Sequence, residues 1–247
     1  MGVPSVSEHV AADLREASNR LGHRRVSSAR TAGVLAAVLT MAGGLVLPVS
    51  ASASDGLRAA PANLMRNAGA EKTKPKPNPA GGKVSVSGWK PAKGTYFTAV
   101  AYGAPAGFPA KDSPGPSKRG GNFFAGGITG GTSSASQTVS LSRYTKLIRS
   151  GKAKFRLSAW LGGFGTQADY ATLTVTWRTA KGAVLTRKTI GPVTAGQREN
   201  ITCLLQRTAT GKVPTRARKA VITLRMTRRE GTYNDGYADN LSLTITK

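Results

Sequence analysis

Six polar and aromatic residues in the second half of the chain have the side-chain types that bind sugars. Aromatic faces stack on sugar rings, while amides and carboxylates form hydrogen bonds with the hydroxyl groups. Trp160 lies on the polar side of an alternating segment, so packing against a neighbouring strand or loop is the alternative to ligand contact for this residue. The predicted ligand contacts are Trp160, Gln167, Asp169, Tyr170, Tyr233 and Asn234.

The chain offers little for most kinds of catalysis. Both histidines, His9 and His23, lie in the first 25 of 247 residues, and Cys203 is the single cysteine. If the N-terminus is removed, the mature protein has no histidine to act as a general base or zinc ligand, and one thiol forms no internal disulfide. Glycoside hydrolysis needs only two carboxylates, but no pair of acids here has a recognisable spacing. We therefore predict no catalytic residues and keep a polysaccharide-active enzyme as the less favoured alternative.

Short β-strands must position the predicted contacts. In Lys154–Leu161, apolar residues alternate with polar ones, as expected of a half-buried strand. The predicted strands are Val84–Trp89, Tyr96–Tyr102, Ser136–Leu141, Lys154–Leu161, Tyr170–Trp177, Ala183–Ile190, Asn200–Gln206, Ala220–Thr227 and Leu241–Thr246. This spacing predicts an all-β fold, an antiparallel sandwich or jelly roll. One short helix is expected between a capping Ser142 and Gly151, and the long loop at 104–121 is a candidate functional segment.

The N-terminal segment resembles an export signal. The apolar run Thr31–Val49 follows a basic cluster and precedes the small residues Ala51-Ser52-Ala53, where a signal peptidase could cut. We predict a bacterial signal peptide over residues 1–53 and a secreted mature protein. An uncleaved membrane anchor is the alternative, since a run of about 19 apolar residues could just span a bilayer. Arg24-Arg25 suggests twin-arginine export, although Val26-Ser27-Ser28 does not complete the usual motif.

The chain is strongly basic, with 36 Lys and Arg against 11 Asp and Glu. Residues 1–53 hold five arginines and three acids, so the mature part would keep 31 basic and 8 acidic side chains, a net charge of +23. Such a charge attracts anionic polymers. The basic residues are scattered over turns, which favours a diffuse coat over a specific nucleic-acid motif.

Three motifs give the mature chain a resemblance to a known group. They are Asn63-Leu-Met-Arg-Asn-Ala-Gly-Ala-Glu71 with a later Trp89, Ser136-Gln137-Thr-Val-Ser-Leu141, and Asp235-Gly-Tyr-Ala-Asp239-Asn240-Leu-Ser-Leu. Together they resemble the first, a middle and the last strand of galactose-binding-like jelly rolls, which include carbohydrate-binding modules of secreted glycosidases and F-box-associated sugar-binding domains. The resemblance implies one such domain over residues 63–247, after a short linker at 54–62. The group is functionally diverse, so the fold alone does not identify a ligand.

The same resemblance implies a structural calcium ion. In many of these jelly rolls, the acid of the first motif and the aspartate of the last strand share the ion, and the matching residues are Glu71 and Asp239. A hard cation with oxygen ligands also suits a chain without histidine ligands. The alternative is a solvated Glu71 and a turn residue at Asp239.

Taken together, these features predict a secreted, monomeric, non-catalytic binding protein for a polysaccharide or cell-wall glycan. The alternative is a polycationic envelope or adhesion protein that binds anionic polymers by charge, without specific nucleic-acid recognition.

Overall fold

The computed structural model describes residues 60–79, 82, 84–128 and 131–247. The predicted signal peptide at 1–53 and most of the predicted linker lie outside the described residues. Within these ranges the fold contains ten strands, one short α-helix and two 3-10 helices, Ser142–Tyr144 and Gly196–Arg198. The strands and the α-helix are β1 (Lys90–Pro91), β2 (Thr98–Ala101), β3 (Asn122–Ile128), β4 (Thr132–Ser140), α1 (Thr145–Arg149), β5 (Lys154–Gly163), β6 (Tyr170–Arg178), β7 (Val184–Ile190), β8 (Cys203–Lys212), β9 (Lys219–Thr227) and β10 (Tyr233–Thr246).

Two five-stranded antiparallel sheets form the sandwich. The first sheet has the order β1-β4-β9-β6-β7, and the second has the order β2-β3-β10-β5-β8. Neighbours in each sheet are mostly distant in sequence, as expected of a jelly roll and not of a simple meander. The predicted all-β sandwich is confirmed. No helix within the described ranges is long and apolar enough to cross a bilayer.

The main core lies between the two sheets. Leu157 and Leu161 of the second sheet and Leu173, Trp177 and Leu224 of the first are fully buried there. Their alternation with exposed or half-buried residues explains why β5, β6 and β9 form where the sequence pattern predicts them. Each sheet packs its apolar face against the other sheet. This removal of apolar surface from water supplies most of the favourable free energy of folding.

The three sequence motifs meet at one edge of the sandwich. Amide hydrogens of Leu64 and Leu241 donate to the carbonyls of Leu243 and Ala68, so the first motif lies beside the end of β10. The side-chain amide of Gln137 forms two hydrogen bonds with the backbone of Arg66, at 2.9 and 3.1 Å. These contacts are the physical reason for the polar residues in the motifs, since they pair backbone groups that would otherwise be buried without partners.

Some predicted elements differ from the structure. The segment Val84–Trp89 is a turn rather than a strand, and only Lys90–Pro91 pairs with β4. The strand predicted at Asn200–Gln206 begins later, at Cys203, because Glu199 and Asn200 adopt left-handed backbone conformations. Ser142 forms no capping bond to the helix, whereas Gly151, at φ +70°, follows it as predicted. Cys203 is a free, buried cysteine.

Candidate ligand-binding site

The outer face of the second sheet carries a second apolar cluster, formed by Val100, Tyr102, Phe123, Ala125, Leu204 and Tyr237. Residues 103–121, here called the outer loop, cover this cluster. The amide of Leu204 donates to the carbonyl of Pro114 in the outer loop at 3.0 Å, and Phe108 packs against Phe123 and Tyr237 at ring-centroid distances of 6.3 and 5.9 Å. The outer loop is therefore a packed part of the fold.

Arg119 fixes the conformation of the outer loop. Its guanidinium donates hydrogen bonds to the carbonyls of Ala110, Ser113 and Pro116, at 2.7 to 3.1 Å. The same guanidinium lies 5.0 Å from the ring centroid of Tyr102, a cation–π distance. These contacts hold the loop, and with it the ring of Phe108, against the sheet.

A pocket of about 300 Å³ opens where the outer loop meets the β5–β6 connection and the start of β10. It combines aromatic rings with a few polar groups, which is the usual composition of a small-molecule site. Its lining residues are Asn78, Pro79, Ala106, Phe108, Phe164, Gln167, Gly231, Thr232, Tyr233 and Asp235. Two of the predicted ligand contacts, Gln167 and Tyr233, are therefore brought together here. We call this the aromatic pocket.

Two polar atoms of the aromatic pocket are buried without a hydrogen-bond partner among the described residues. They are Oε1 of Gln167 and the hydroxyl oxygen of Tyr233. The ring of Tyr233 meets that of Phe108 edge to face, with centroids 5.2 Å apart. Burying a polar group without a partner costs about 1–3 kcal/mol. A ligand could pair with either atom only if the side chain turned toward the pocket.

Gln167 is positioned by a buried arginine that sequence reasoning missed. Nη2 of Arg198 donates to the backbone carbonyl of Gln167 at 2.9 Å, and its Nη1 donates to the carbonyls of Gly165 and Ile201. Only 1% of the surface of Arg198 is exposed. Burial lowers the pKa of Arg198 from its usual value. The three hydrogen bonds hold the β5–β6 connection in the shape that forms one wall of the pocket.

Asp235 is a further pocket residue that the sequence analysis did not single out. Its side chain is 8% exposed, and Oδ1 accepts a short hydrogen bond from the hydroxyl of Tyr237. Burial raises the pKa of Asp235 to about 6, the hydrogen bond from Tyr237 lowers it, and the neighbouring Asp169 raises it. The carboxylate is therefore held in an environment that disfavours its charge.

Two predicted contact residues support the pocket from behind. The carboxylate of Asp169 is fully buried and accepts backbone hydrogen bonds from Arg229, Glu230 and Asp235, at 2.5 to 3.0 Å. Asn234 is also fully buried, donating to the carbonyl of Gly131 and accepting from a backbone amide two residues later. Both side chains thus organise the turn that leads into β10, and neither lines the aromatic pocket.

The other two predicted contacts lie elsewhere. Trp160 is half-buried beside the second apolar cluster, as in the packing alternative considered from the sequence. Tyr170 lines a separate depression, and the guanidinium of Arg229 lies 5.8 Å from its ring centroid. Phe108 and Phe164, which were not predicted, supply the aromatic walls instead. The one sequence signal for Phe108 is its place in a long loop predicted to be functional.

The predicted calcium ligands also lie close together. Glu71 accepts backbone hydrogen bonds from Gly121 and Asn122, each at 3.0 Å. Asp239 is fully buried, and its carboxylate accepts hydrogen bonds from the Tyr102 hydroxyl at 2.9 Å and the Asn240 amide at 2.6 Å. A Cβ atom added at Gly69 would lie 3.2 Å from Oδ1 of Asp239 and 3.7 Å from Cγ of Glu71. The two acids therefore converge on the backbone of the first motif.

The chemistry of this carboxylate pair suits a hard cation. Burial raises the pKa of Asp239 to about 7, the hydrogen bonds from Tyr102 and Asn240 lower it, and the charge of Glu71 raises it further. A cation between the two acids would relieve both the burial cost and the repulsion. Within the described residues, no group of three or more histidine, cysteine or acidic side chains could hold a metal ion. Backbone carbonyls or water would have to complete the coordination.

Four lysines form a basic surface at another part of the molecule. Lys152, Lys154, Lys212 and Lys247 surround a depression of about 320 Å³ whose lining includes no acidic side chain. Lys154 and Lys212 lie directly opposite each other on β5 and β8. Like charges in this cross-strand position repel each other and destabilise a sheet. We call this surface the lysine patch.

Comparison with known proteins yields similar folds at low sequence identity. No protein-family model and no curated protein matches the chain. The enzymatically active domain of tailspike protein 4 from bacteriophage CBA120 is similar at 14% identity and a TM-score of 0.43, covering 74% of this chain and 21% of that one. A Clostridium thermocellum xylanase with CBM22-1 and GH10 modules is similar at 16% identity and a TM-score of 0.39, covering 65% of this chain and 26% of that one.

A third similar structure is the carbohydrate-binding module TmCBM61 in complex with β-1,4-galactotriose. It has 15% identity and a TM-score of 0.41, covering 75% of this chain and 99% of that one. This chain thus spans about a fifth and a quarter of the first two structures but the full length of the third. Modules named CBM22 and CBM4 are also among the similar structures. The function proposed below rests on the residues of this chain.

Proposed function

We propose that the chain is a non-catalytic carbohydrate-binding protein and that the aromatic pocket holds a sugar unit of a polysaccharide or cell-wall glycan. The observation that carries this proposal is the combination of three aromatic rings, Phe108, Phe164 and Tyr233, with the polar side chains of Gln167 and Asp235 in one pocket lining. A sugar ring presents an apolar face to aromatic side chains and hydroxyl groups to polar ones. The predicted export signal would place this pocket outside the cell.

The acidic groups near the pocket favour binding over hydrolysis. Asp235 is the one acid that lines it, and the carboxylate of nearby Asp169 is engaged by three backbone amides. Glycosidases use two carboxyl groups on either side of the scissile bond, about 5 to 9.5 Å apart and both accessible to the substrate. A single accessible acid supports a role in recognition.

The proposal is tested by replacing Tyr233 and measuring binding to neutral polysaccharides. Tyr233→Ala removes one aromatic wall and one polar contact, so affinity should fall on the order of tenfold to a hundredfold. Tyr233→Phe keeps the wall and the packing and removes only the hydroxyl, so a smaller loss of about threefold to tenfold is expected. Affinity electrophoresis in gels containing a panel of neutral polysaccharides measures both.

Tyr144→Phe is the matched control, since Tyr144 lies beside α1 and does not line the aromatic pocket. It should bind as the unaltered protein does. If no polysaccharide, neutral or amine-bearing, retards the unaltered chain, or if Tyr233→Ala binds equally well, the aromatic pocket is not a sugar site.

We also propose that Glu71 and Asp239 hold a structural calcium ion. The proximity of the two acids supports this assignment, because the charge of Glu71 acts on Asp239 and both side chains lie beside Gly69. Bound calcium would supply positive charge between the first motif and the last strand, where Leu64 and Leu241 already connect them through backbone hydrogen bonds. Its role would be to stabilise the fold, since neither acid lines the aromatic pocket.

A second candidate function is binding of anionic polymers. The lysine patch favours it, because Lys154 and Lys212 face each other across two strands without an acidic side chain in the lining. An anionic ligand would relieve that repulsion. This activity would use charge alone and would weaken as salt increases.

A further inference from the structure

The aromatic pocket has a charge opposite to that of the rest of the molecule. The whole sequence has a formal net charge of +25, yet the pocket lining holds one carboxylate, Asp235, and no lysine or arginine. Charges of one sign inside a concave site select ligands of the opposite sign. We therefore expect the ligand of this acidic pocket to carry a positive charge.

Among the residues that the structure describes, no cationic side chain acts on Asp235. The groups that face it are the hydroxyl of Tyr237, the ring of Tyr233 and the carboxylate of Asp169, whose charge raises the pKa of Asp235 further after burial. The nearest buried cation, Arg198, directs its hydrogen bonds to backbone carbonyls of the β5–β6 connection and the segment before β8. Buried charges in proteins are normally paired.

The other polar groups of the pocket are also suited to a ligand that donates hydrogen bonds. Oε1 of Gln167 can only accept, and it has no partner among the described residues. Phe108, Phe164 and Tyr233 contribute three aromatic rings to the same lining. Aromatic faces attract cations through their quadrupole, and a cation enclosed by aromatic rings and a carboxylate is a strongly favoured arrangement.

Resting on the sugar-binding function proposed above, we propose that the pocket takes an amino sugar with a free, protonated amine rather than a neutral sugar. The ammonium group pairs with the carboxylate of Asp235. The side chain of Gln167 rotates toward the pocket so that its Oε1 accepts a hydrogen bond from the same ammonium group. The apolar face of the sugar ring then packs against the aromatic walls. The ligand would thus supply the positive charge that the pocket lacks.

Non-specific attraction cannot produce this selectivity. A protonated amino-sugar polymer is a cation, and the long-range field of a strongly basic protein repels it. Preference for the amine must therefore arise from local contacts. Low salt should weaken binding, because screening of the overall repulsion is then smallest.

The test compares oligomers of glucosamine with the same oligomers after complete N-acetylation, using isothermal titration calorimetry on the full chain at pH 7. Acetylation removes the charge and two of the donors while keeping the ring, so affinity should fall at least tenfold. Asp235→Asn should abolish the preference, and Asp112→Asn is the matched control, since Asp112 is exposed and outside the pocket lining.

A pH series provides a measurement that needs no variant. The carboxyl group of Asp235 loses its proton as pH rises through about 6. The sugar amine is a weak base like an α-amino group, whose pKa is about 8, and it loses its own proton at higher pH. Amine binding should therefore strengthen above pH 5, reach a maximum and weaken again by about pH 9. Binding of a neutral oligomer should change little over this range. An amine affinity with no maximum between pH 5 and pH 9 would overturn the proposed ion pair even if Asp235→Asn fails to fold.

The outcomes separate the two proposals. Equal affinity for the free and acetylated oligomers overturns the amine preference and leaves the sugar site intact. Failure of every neutral and amine-bearing oligomer to bind overturns both. If Tyr233→Ala binds the amine-bearing oligomer as tightly as the unaltered protein does, the amine binds elsewhere. That result overturns this inference.

Discussion

At the scale of single residues, the two buried carboxylates of β10 differ in what surrounds them. Asp235 opens toward the aromatic pocket, whereas Asp239 faces Glu71 and the Tyr102 hydroxyl on the side of the first motif. Both have raised pKa values because burial penalises their charge. In each case a cation would relieve the penalty, from a ligand at Asp235 and from a metal ion at Asp239.

The first prediction concerns the metal ion at Asp239. Adding calcium to about 100-fold above its dissociation constant should stabilise the chelator-treated protein by about 2.7 kcal/mol, because the ion binds only the folded state. Asp239→Asn keeps the shape of the side chain and its hydrogen-bonding oxygen but removes one charge, so this dependence should disappear. Thermal unfolding followed by circular dichroism, with and without calcium, measures the effect.

Asp112→Asn is the control, since Asp112 is an exposed residue of the outer loop. It should keep the full response to calcium. A melting temperature that calcium leaves unchanged in the unaltered protein would contradict a calcium site at this position.

At the scale of elements, Asp169 connects the beginning of β6 to the turn between β9 and β10. Its carboxylate accepts the backbone amides of Arg229, Glu230 and Asp235, so three donors depend on one side chain. The same turn continues into Gly231, Thr232 and Tyr233 of the aromatic pocket. The shape of the pocket therefore depends on a residue that does not line it.

Asp169→Ala should lower both stability and ligand binding. The substitution leaves buried amides without an acceptor, each costing about 1–3 kcal/mol, so a loss of at least 2–4 kcal/mol in the free energy of unfolding is expected. Urea denaturation measures the stability, and the polysaccharide gels described above measure the binding. Asp112→Ala should change neither. Full stability of Asp169→Ala would show that the turn holds without this carboxylate.

Strands with one buried face were predictable from the sequence, whereas β3 and the first part of β10, which are buried on both faces, were not. In β5 and β9 the buried and exposed residues alternate, so the period of two is visible in the sequence. In β3, Phe124 faces the main core and Phe123 the second apolar cluster, so nearly every residue is buried and no alternation appears. The early part of β10 was missed for the same reason.

The candidate site was predictable only in part. Gln167 and Tyr233 have side chains whose chemistry is recognisable beside turns, and the structure brings them into one pocket. Asp169 and Asn234 have equally suitable chemistry, but buried backbone groups engage their side chains. Phe108 contacts Tyr233 from a loop 125 positions earlier in the chain, a pairing created by the sandwich topology. Local sequence patterns carry no information about such long-range contacts.

At the scale of the whole molecule, the aromatic pocket and the lysine patch lie at opposite ends of β5. Lys154 begins the strand, and Phe164 directly follows its last residue. Ten extended residues span roughly 30 Å, so a ligand in one site does not touch the other. The two sites also have opposite charge. Binding of sugars and binding of anionic polymers should therefore be separable by substitution.

The last prediction removes charge from the lysine patch without touching the pocket. With inorganic polyphosphate as the probe, the double variant Lys154→Gln and Lys212→Gln should bind more weakly than the unaltered protein. A double variant of the exposed Lys72 and Lys188, each changed to Gln, removes the same total charge elsewhere and should bind nearly as well as the unaltered protein. Loss of two phosphate contacts should reduce the slope of log affinity against log salt by about two, because fewer counterions are released.

The patch variant should also gain thermal stability at low salt, since Lys154 and Lys212 are directly opposed on neighbouring strands and repel each other. Its affinity for sugars should stay unchanged because the aromatic pocket is at the other end of β5. If both double variants lose polyphosphate binding equally, the net charge attracts the polymer and the patch has no special role. Loss of sugar binding in the patch variant alone would instead show that the two ends of the sandwich are coupled.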